Sequence, residues 1–342
     1  MRVATTLSLV LLVATKNAAA QAAPAPVLRA PRGLPSPVPG HAAFRPAVAA
    51  LGRALFFDES LSIDNRTACA TCHVPGHGFA SVEALPPGSL GKRALRNAPT
   101  LYNRAYGRAF SWDGRAETLE QQVILPISNP NEMALPLDQA VERLRKSKRY
   151  SSRFKTLFDR APTSTDLSVA LAAYVRTLVH GDTVIDKFRD GEGSGLITRE
   201  ERAGQWIYES KGDCWKCHSG GNFTDEKFHN TGIGVRNGKP RPGRMGITRK
   251  PKDAGAFKTP TLRALTETGP YMHDGSLKTL EEVVEFYRRG GNSNTHLDPK
   301  LRPLSLTDTE ARHLVAFLRG LSRPAKPKPQ TKPAGSKPGR RK

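Results

Sequence analysis

Apolar residues along this chain recur mostly at the spacing of a helix. Between positions 43 and 57, Phe44, Val48, Leu51, Leu55 and Phe56 fall on one stripe, as the buried face of a 3.6-residue repeat requires. The segments 137–144, 152–157, 167–178, 198–208, 280–287 and 307–321 repeat that spacing. Thr279 and Thr307 stand at the starts of the last two, with acidic residues in the turn that follows. A hydroxyl there caps free backbone N–H groups, and the acids face the positive end of the helix. No long run alternates at period two. The pattern predicts an all-α protein. Asp190-Gly191-Glu192-Gly193-Ser194-Gly195 breaks the pattern and reads as a linker over 190–195. It divides the chain into an N-terminal domain over 41–189 and a C-terminal domain over 196–322.

The two ends follow other rules. Met1-Arg2 gives a basic start, and residues 3–15 are mostly apolar, with the run Leu7-Ser8-Leu9-Val10-Leu11-Leu12-Val13. Ala18, Ala19 and Ala20 then supply small residues for a peptidase, so residues 1–20 predict an export signal peptide. The run is short for a bilayer span, although Lys16 sits close to the cleavage region and leaves a retained anchor as the alternative. The Pro/Ala-rich residues 21–40 predict an unstructured lead-in. Residues 323–342 form a basic, Pro/Lys-rich tail without an acid. Proline removes backbone donors and fixes φ, so this tail cannot hold a helix. It reads as solvated chain or as an adhesive for an anionic surface.

Composition narrows the class. Of 342 residues, 38% are apolar, enough for a core and against wholesale disorder. Apart from the first twenty residues no apolar run is long enough to place the chain in a membrane. Of the net charge of +22, the tail carries +8 and the signal +2, which leaves +12 on residues 21–322. No sequence motif for nucleic acid accompanies it.

All four cysteines lie in two copies of one pattern, Cys69-Ala70-Thr71-Cys72-His73 and Cys214-Trp215-Lys216-Cys217-His218. Cys-x-x-Cys-His is the attachment signature of c-type haem. Thiols three apart on a helical turn can each add to one vinyl group, and the following histidine is then placed to ligate the iron. Zinc shared by the two pairs would leave both histidines unexplained, and no thioredoxin-like βαβ unit surrounds either pair. With 9 histidines in the chain, both pairs are followed by His by chance with odds of about 0.0007. An exported chain also reaches the compartment where bacteria attach haem. One motif stands on each side of the linker, which predicts two cytochrome c-like domains with one covalent haem c each.

Longer motifs carry a resemblance. They are Leu51-Gly52-Arg53-Ala54-Leu55-Phe56-Phe57-Asp58, Arg96-Asn97-Ala98-Pro99-Thr100-Leu101, Trp112-Asp113-Gly114-Arg115-Ala116 and Asn129-Pro130-Asn131-Glu132-Met133. Lys258-Thr259-Pro260-Thr261-Leu262-Arg263 and Pro270-Tyr271-Met272-His273-Asp274-Gly275 follow in the same order. Over about residues 41–322 the chain resembles the bacterial di-haem cytochrome c peroxidase family, nearest to the branch named for MauG. The resemblance implies that peroxide reacts at the N-terminal haem, ligated by His73, and that the C-terminal haem, ligated by His218, is a six-coordinate electron relay. It places Gln122 and Glu132 on the distal side of the first haem, Pro126 over its open face, and Trp112 between the haems. It assigns calcium to Asn97 and the carbonyls of Thr268 and Pro270, an oxygen set suited to a hard cation.

Two departures shape the expectation. Members of the peroxidase branch carry a histidine, in a long loop after the first motif, that caps the resting iron. Here the nearest is His77, four residues after His73, a reach of at most about 14 Å, so His77 is expected to pack or hydrogen-bond instead. Those members also place a methionine fourteen residues after the His of the His-Asp-Gly motif, and that position is Tyr287 here, as in the MauG branch. A phenolate stabilises high-valent iron. Met245 and Met272 are the competing donors.

The implied activity is that of an exported, periplasmic peroxidase reducing hydrogen peroxide to water. Its electrons would come from a small redox protein, a cytochrome c or a blue copper protein. The alternative is a MauG-like enzyme oxidising side chains of a partner protein. The branch member that forms a tryptophylquinone has Trp two residues before the second motif. This chain has Gly212 there, with Trp206 and Trp215 left as surface relays. A non-catalytic electron-transfer cytochrome is the alternative of another class, and it leaves Gln122 and Glu132 unexplained. Homodimers are frequent in the peroxidase branch.

Overall fold

Helix caps and proline positions set the element boundaries in the computed structural model, which describes residues 28–325. The helices are α1 (Pro46–Phe56), α2 (Cys69–Cys72), α3 (Leu119–Ser128), α4 (Leu137–Lys146), α5 (Lys148–Phe158), α6 (Ser164–Arg176) and α7 (Val184–Arg189). They continue with α8 (Arg199–Glu209), α9 (Met245–Thr248), α10 (Leu280–Arg288) and α11 (Asp308–Gly320). Two three-residue strands, β1 (Phe228–Asn230) and β2 (Ala256–Lys258), pair antiparallel with Phe228 opposite Lys258. The chain is mainly helical, and every segment with helical periodicity is a helix. The hydroxyls of Thr198, Thr279 and Thr307 accept from the backbone three residues on, and Glu201, Glu282 and Glu310 complete reciprocal caps. Pro46 occupies the first turn of α1, so the helix begins there and not at Ala43.

Two large buried apolar clusters organise these elements, beside a small third one around Phe110, Leu119 and Val175. One gathers Leu51, Leu55, Phe56, Ile127, Leu144, Phe154, Leu167 and Leu171 from α1, α3, α4, α5 and α6. The other gathers Ile185, Ile207, Leu280, Val284, Leu314 and Phe317 from α7, α8, α10 and α11. A glycine sits at the closest approach in each half. A Cβ on Gly52 would stand 1.8 Å from the Ala170 carbonyl oxygen, and one on Gly204 would stand 1.9 Å from that of His313. The α1–α6 and α8–α11 pairs therefore cross at the same kind of contact.

Val184 and Ile185 of α7 belong to the C-terminal cluster, with Phe188 packed against it, ahead of the expected linker. Residues 190–195 form a turn inside the second half. Glycine and acid content marked that turn, while α7, at six residues, is too short to show a helical period. The lead-in is also packed where it is described. Leu28 and Val38 are buried, the Gly33 carbonyl accepts from Arg263, and the Pro35 carbonyl accepts from Tyr106 Oη. Extended proline-rich chain makes no helix, but its carbonyls remain good acceptors. At the other end Arg323 pairs with Glu201 and Pro324 bridges Thr183, so the tail begins beyond Ala325. The signal peptide, residues 21–27 of the lead-in and the tail from Lys326 lie outside the described residues.

Candidate haem centres

Each Cys-x-x-Cys-His motif opens onto its own cavity. Cys69, Cys72 and His73 line the first, of about 390 Å³, and Cys214, Cys217 and His218 line the second, of about 230 Å³. The four cysteines are free thiols. In both motifs a helical turn spaces the sulfurs and ends in the histidine, whose N–H bonds to the first cysteine's carbonyl at 2.9 Å. His73 Nδ1 lies 3.1 Å from the Phe79 carbonyl and His218 Nδ1 lies 3.1 Å from that of Phe223. A carbonyl accepts only, so Nδ1 carries the proton and Nε2 keeps its lone pair for a metal. Burial lowers both histidines, His218 to about 4, so both rings are neutral. Free thiols one turn apart, a neutral imidazole with one nitrogen fixed, and an adjoining cavity fit covalent haem at both sites.

The first cavity assembles the groups assigned to its distal side. Gln122 and Pro126, both on α3, line it with Glu132. Gln122 Oε1 accepts from Ser111 Oγ at 2.6 Å, which turns the amide nitrogen into the remaining donor. Asn129 Nδ2 donates to Glu132 Oε1 at 2.7 Å. Burial raises the Glu132 carboxyl above the usual range, against the opposing pull of Arg115 and Asn129. This carboxyl therefore holds a proton more readily than a solvated glutamate.

Trp112 lines both cavities. Its Nε1 donates to the Asn97 carbonyl at 2.9 Å, and its ring meets His273 edge-on with centroids 6.4 Å apart. His273 is buried, stacks on Phe257 at 3.6 Å, and is lowered by burial to about 4. It is a neutral spacer in the wall.

Tyr287, near the C-terminal end of α10, lines the second cavity with His218 and Met272. Met245, on α9, is outside that lining. Burial raises the Tyr287 phenol well above its ordinary value, so its ionised form needs a cation at the oxygen. Asn97, Thr268 and Pro270 also line this cavity. Asn97 Nδ2 donates to the Glu83 carbonyl at 3.2 Å, which leaves its side-chain oxygen as the atom for a cation. His77 Nε2 bonds the Gly269 carbonyl at 2.5 Å, so it hydrogen-bonds as expected, across to the C-terminal half. Trp206 and Trp215 are 58% and 47% exposed.

Several buried charged residues near the cavities carried no separate signal in the sequence. Asp113 is buried between Arg96 at 2.8 Å and Arg115 at 2.6 Å, and Glu226 is buried between Arg104 and Lys258. Asp113, Arg115 and Lys258 lie in the quoted motifs, but Glu226 lies in none. Only the fold brings it 122 residues back to Arg104.

The geometry is that of two cavities, each with a thiol pair and a neutral histidine, on either side of one wall, and comparison with known proteins names the class. A family model described as di-haem cytochrome c peroxidase matches residues 46–194. The chain is 38% identical to the methylamine utilization protein MauG of Methylorubrum extorquens over 299 residues, covering 86% of this chain and 82% of that one. It is 34% identical to the cytochrome-c peroxidase IdrP1 of Denitromonas iodatirespirans over 321 residues, covering 84% and 85%. A solved MauG-like protein associated with microbial copper homeostasis superposes with a TM-score of 0.77 at 28% identity, covering 87% of this chain and 94% of that one. The chain belongs to the di-haem cytochrome c peroxidase family. It is an oxidoreductase of the cytochrome c peroxidase and MauG type, a class that uses two haem c groups.

Proposed function

We propose that the protein reduces hydrogen peroxide to water in the cavity above His73, with electrons drawn from the second centre across Trp112. The observation that carries this reading is the position of Trp112 in the wall common to both cavities, with Gln122 and Glu132 on the first side. Cys69, Cys72 and His73 would hold the first haem, and Cys214, Cys217, His218 and Tyr287 the second. Bound haem supplies the electrons for breaking the O–O bond and the metal site at which peroxide sits. Gln122 presents its amide N–H to orient the peroxide. Glu132 accepts a proton from one oxygen and delivers it to the other, so that the leaving oxygen departs as water. One peroxide consumes two protons and two electrons and yields two waters. Pro126 presents an apolar, non-ligating ring to the cavity. We read the two apolar clusters as two cytochrome c-like domains and the oxygens of Asn97, Thr268 and Pro270 as a calcium site.

The donor is a small redox protein, a cytochrome c or a blue copper protein, met outside the cytoplasm after removal of residues 1–20. Among the described residues no helix is long and apolar enough to cross a membrane. A second reading, oxidation of side chains on a partner protein, is favoured by Tyr287 in the second cavity and by the relatives named MauG. Steady-state consumption of hydrogen peroxide with reduced cytochrome c or reduced blue copper protein separates the two. Rapid turnover with either donor is expected. Failure of both donors, with two haems present and peroxide still reacting in a single turnover, transfers the assignment to protein oxidation.

A further inference from the structure

At the wall between the cavities two buried cations share one buried carboxylate. Arg104 and Lys258 are each 8% exposed and share one carboxylate, Glu226, whose side chain is 7% exposed. Arg104 takes both oxygens, with Nη1 3.0 Å from Oε1 and Nη2 3.2 Å from Oε2. The Arg108 backbone N–H donates to the same Oε2 at 3.2 Å. Lys258 Nζ is left at 3.7 Å from Oε1, beyond hydrogen-bond distance. Its close acceptor is the Thr259 carbonyl at 3.0 Å. The next carboxylate, Asp225, is held 3.0 Å from His229 Nε2. An ammonium has three N–H donors, and a buried charge needs an opposite charge as well as hydrogen bonds. Burial, with Arg104 adding to it, holds Lys258 down to about 7, against the opposing pull of Glu226.

The position says which anion fits. Among the described residues that line both cavities, Lys258 has the only side chain that is cationic when protonated at neutral pH, His273 being neutral there. Its backbone N–H donates to the Trp112 carbonyl at 2.8 Å, so the lysine is fixed beside the proposed relay. A haem filling either cavity brings two propionate carboxylates.

We propose that Lys258 binds a haem propionate at the wall between the cavities, and that its fixed charge raises the reduction potential of the haem it holds, biasing electron transfer across Trp112. This rests on the reading that both cavities hold haem. A positive charge beside a haem stabilises the reduced, more negative state, so removing it favours the oxidised state.

The test uses the holoprotein, with Lys258→Met to remove the charge at similar length and Lys258→Arg to keep it. Pyridine haemochrome content is measured first, because fewer than two haems in the unsubstituted protein would overturn the two-haem reading itself. Redox titration followed by EPR then reads each haem separately. With Lys258→Met, the reduction equilibrium constant of at least one haem should fall tenfold or more, about 59 mV for a one-electron couple, and Lys258→Arg should restore it. A fall at the low-spin centre identifies the haem at His218, a fall at the high-spin centre the haem at His73, and a fall at both a shared post. Unchanged potentials in fully loaded Lys258→Met overturn the proposal, as does an equal fall in Lys258→Arg. If Lys258→Met does not take up haem, a loaded Lys258→Arg with unchanged potentials supports the proposal, and loss of haem in both variants assigns Lys258 to packing.

Discussion

The indole Nε1 of Trp112 donates to the main-chain carbonyl of Asn97 at 2.9 Å, while the Asn97 backbone N–H donates to the His273 carbonyl at 2.9 Å. A residue proposed to bind calcium thus also fixes the ring between the two cavities. Removing the cation is expected to release Asn97 and let Trp112 shift. One calcium per chain should be found by elemental analysis. Chelation should slow the transfer of oxidising equivalents between the haems by up to about 10²-fold, the scale of a displacement near 1 Å, and added calcium should reverse it. Stopped-flow absorbance after mixing with hydrogen peroxide measures the step. Chelated protein that keeps its rate would separate calcium from the relay.

Tyr287 is expected to be the oxygen ligand of the second haem. Tyr287→Phe removes that oxygen and keeps the ring, so the low-spin EPR signal of that centre should change, with His73 ligation of the other untouched. Loss of an anionic donor should raise the second haem's potential, by about tenfold or more in its reduction equilibrium. Met272 shares the cavity and is the residue able to replace Tyr287, so Tyr287→Phe/Met272→Leu tells replacement from an empty position. An unaltered six-coordinate signal in Tyr287→Phe assigns the ligand to Met272.

The Arg263–Asp186 pair should govern acid stability. Arg263 is fully buried and binds Asp186 through two bonds of 2.8 Å, while donating to the carbonyls of Gly221 and Gly33. Burial works to raise the Asp186 carboxyl, but Arg263 and Thr183 outweigh it and hold it below the usual range. A depressed carboxylate contributes stability above its unfolded value, near 3.9. That contribution is lost as the pH falls through the lower folded value. Arg263→Met should cost about 3–5 kcal/mol, because it strands a buried charge, and should flatten the acid limb of the stability curve. Urea unfolding at pH 7 and near pH 3 checks both.

Helices and haem attachment were legible because each has a local code. Periodicity at 3.6 residues located α1, α4, α5, α6, α8, α10 and α11, and Cys-x-x-Cys-His located both cavities. α3 was missed because Gln121, Gln122 and Pro126 interrupt its periodic pattern, yet Gln121 completes its N-cap and Gln122 and Pro126 are what it presents to the first cavity. The strands were missed because three residues cannot show alternation. Residues 28–40 were misread as unstructured because composition reports what a segment cannot form alone, not what it packs against. Glu226, which divides its charge between Arg104 and Lys258, is a long-range product of the fold with no local signature.

Glu132 should set the rate of peroxide cleavage. The leaving oxygen needs a proton, and Gln122 cannot supply one, because an amide does not titrate near neutral pH. Glu132 must be ionised to accept the first proton. Its carboxyl is raised by burial despite Arg115 and Asn129, so the rate should fall with decreasing pH from a point above that of an ordinary glutamate. Glu132→Gln keeps the size and the contact with Asn129 but removes the titrating proton. Both haems should load normally in this variant. Formation of the oxidised intermediate should slow by about 10²–10⁴-fold, the usual contribution of a placed acid–base group, and the acid limb of its pH profile should disappear. Stopped-flow mixing with hydrogen peroxide across a pH series reads both effects. A wild-type rate in Glu132→Gln, or an acid limb that persists, gives the proton to solvent or to another group.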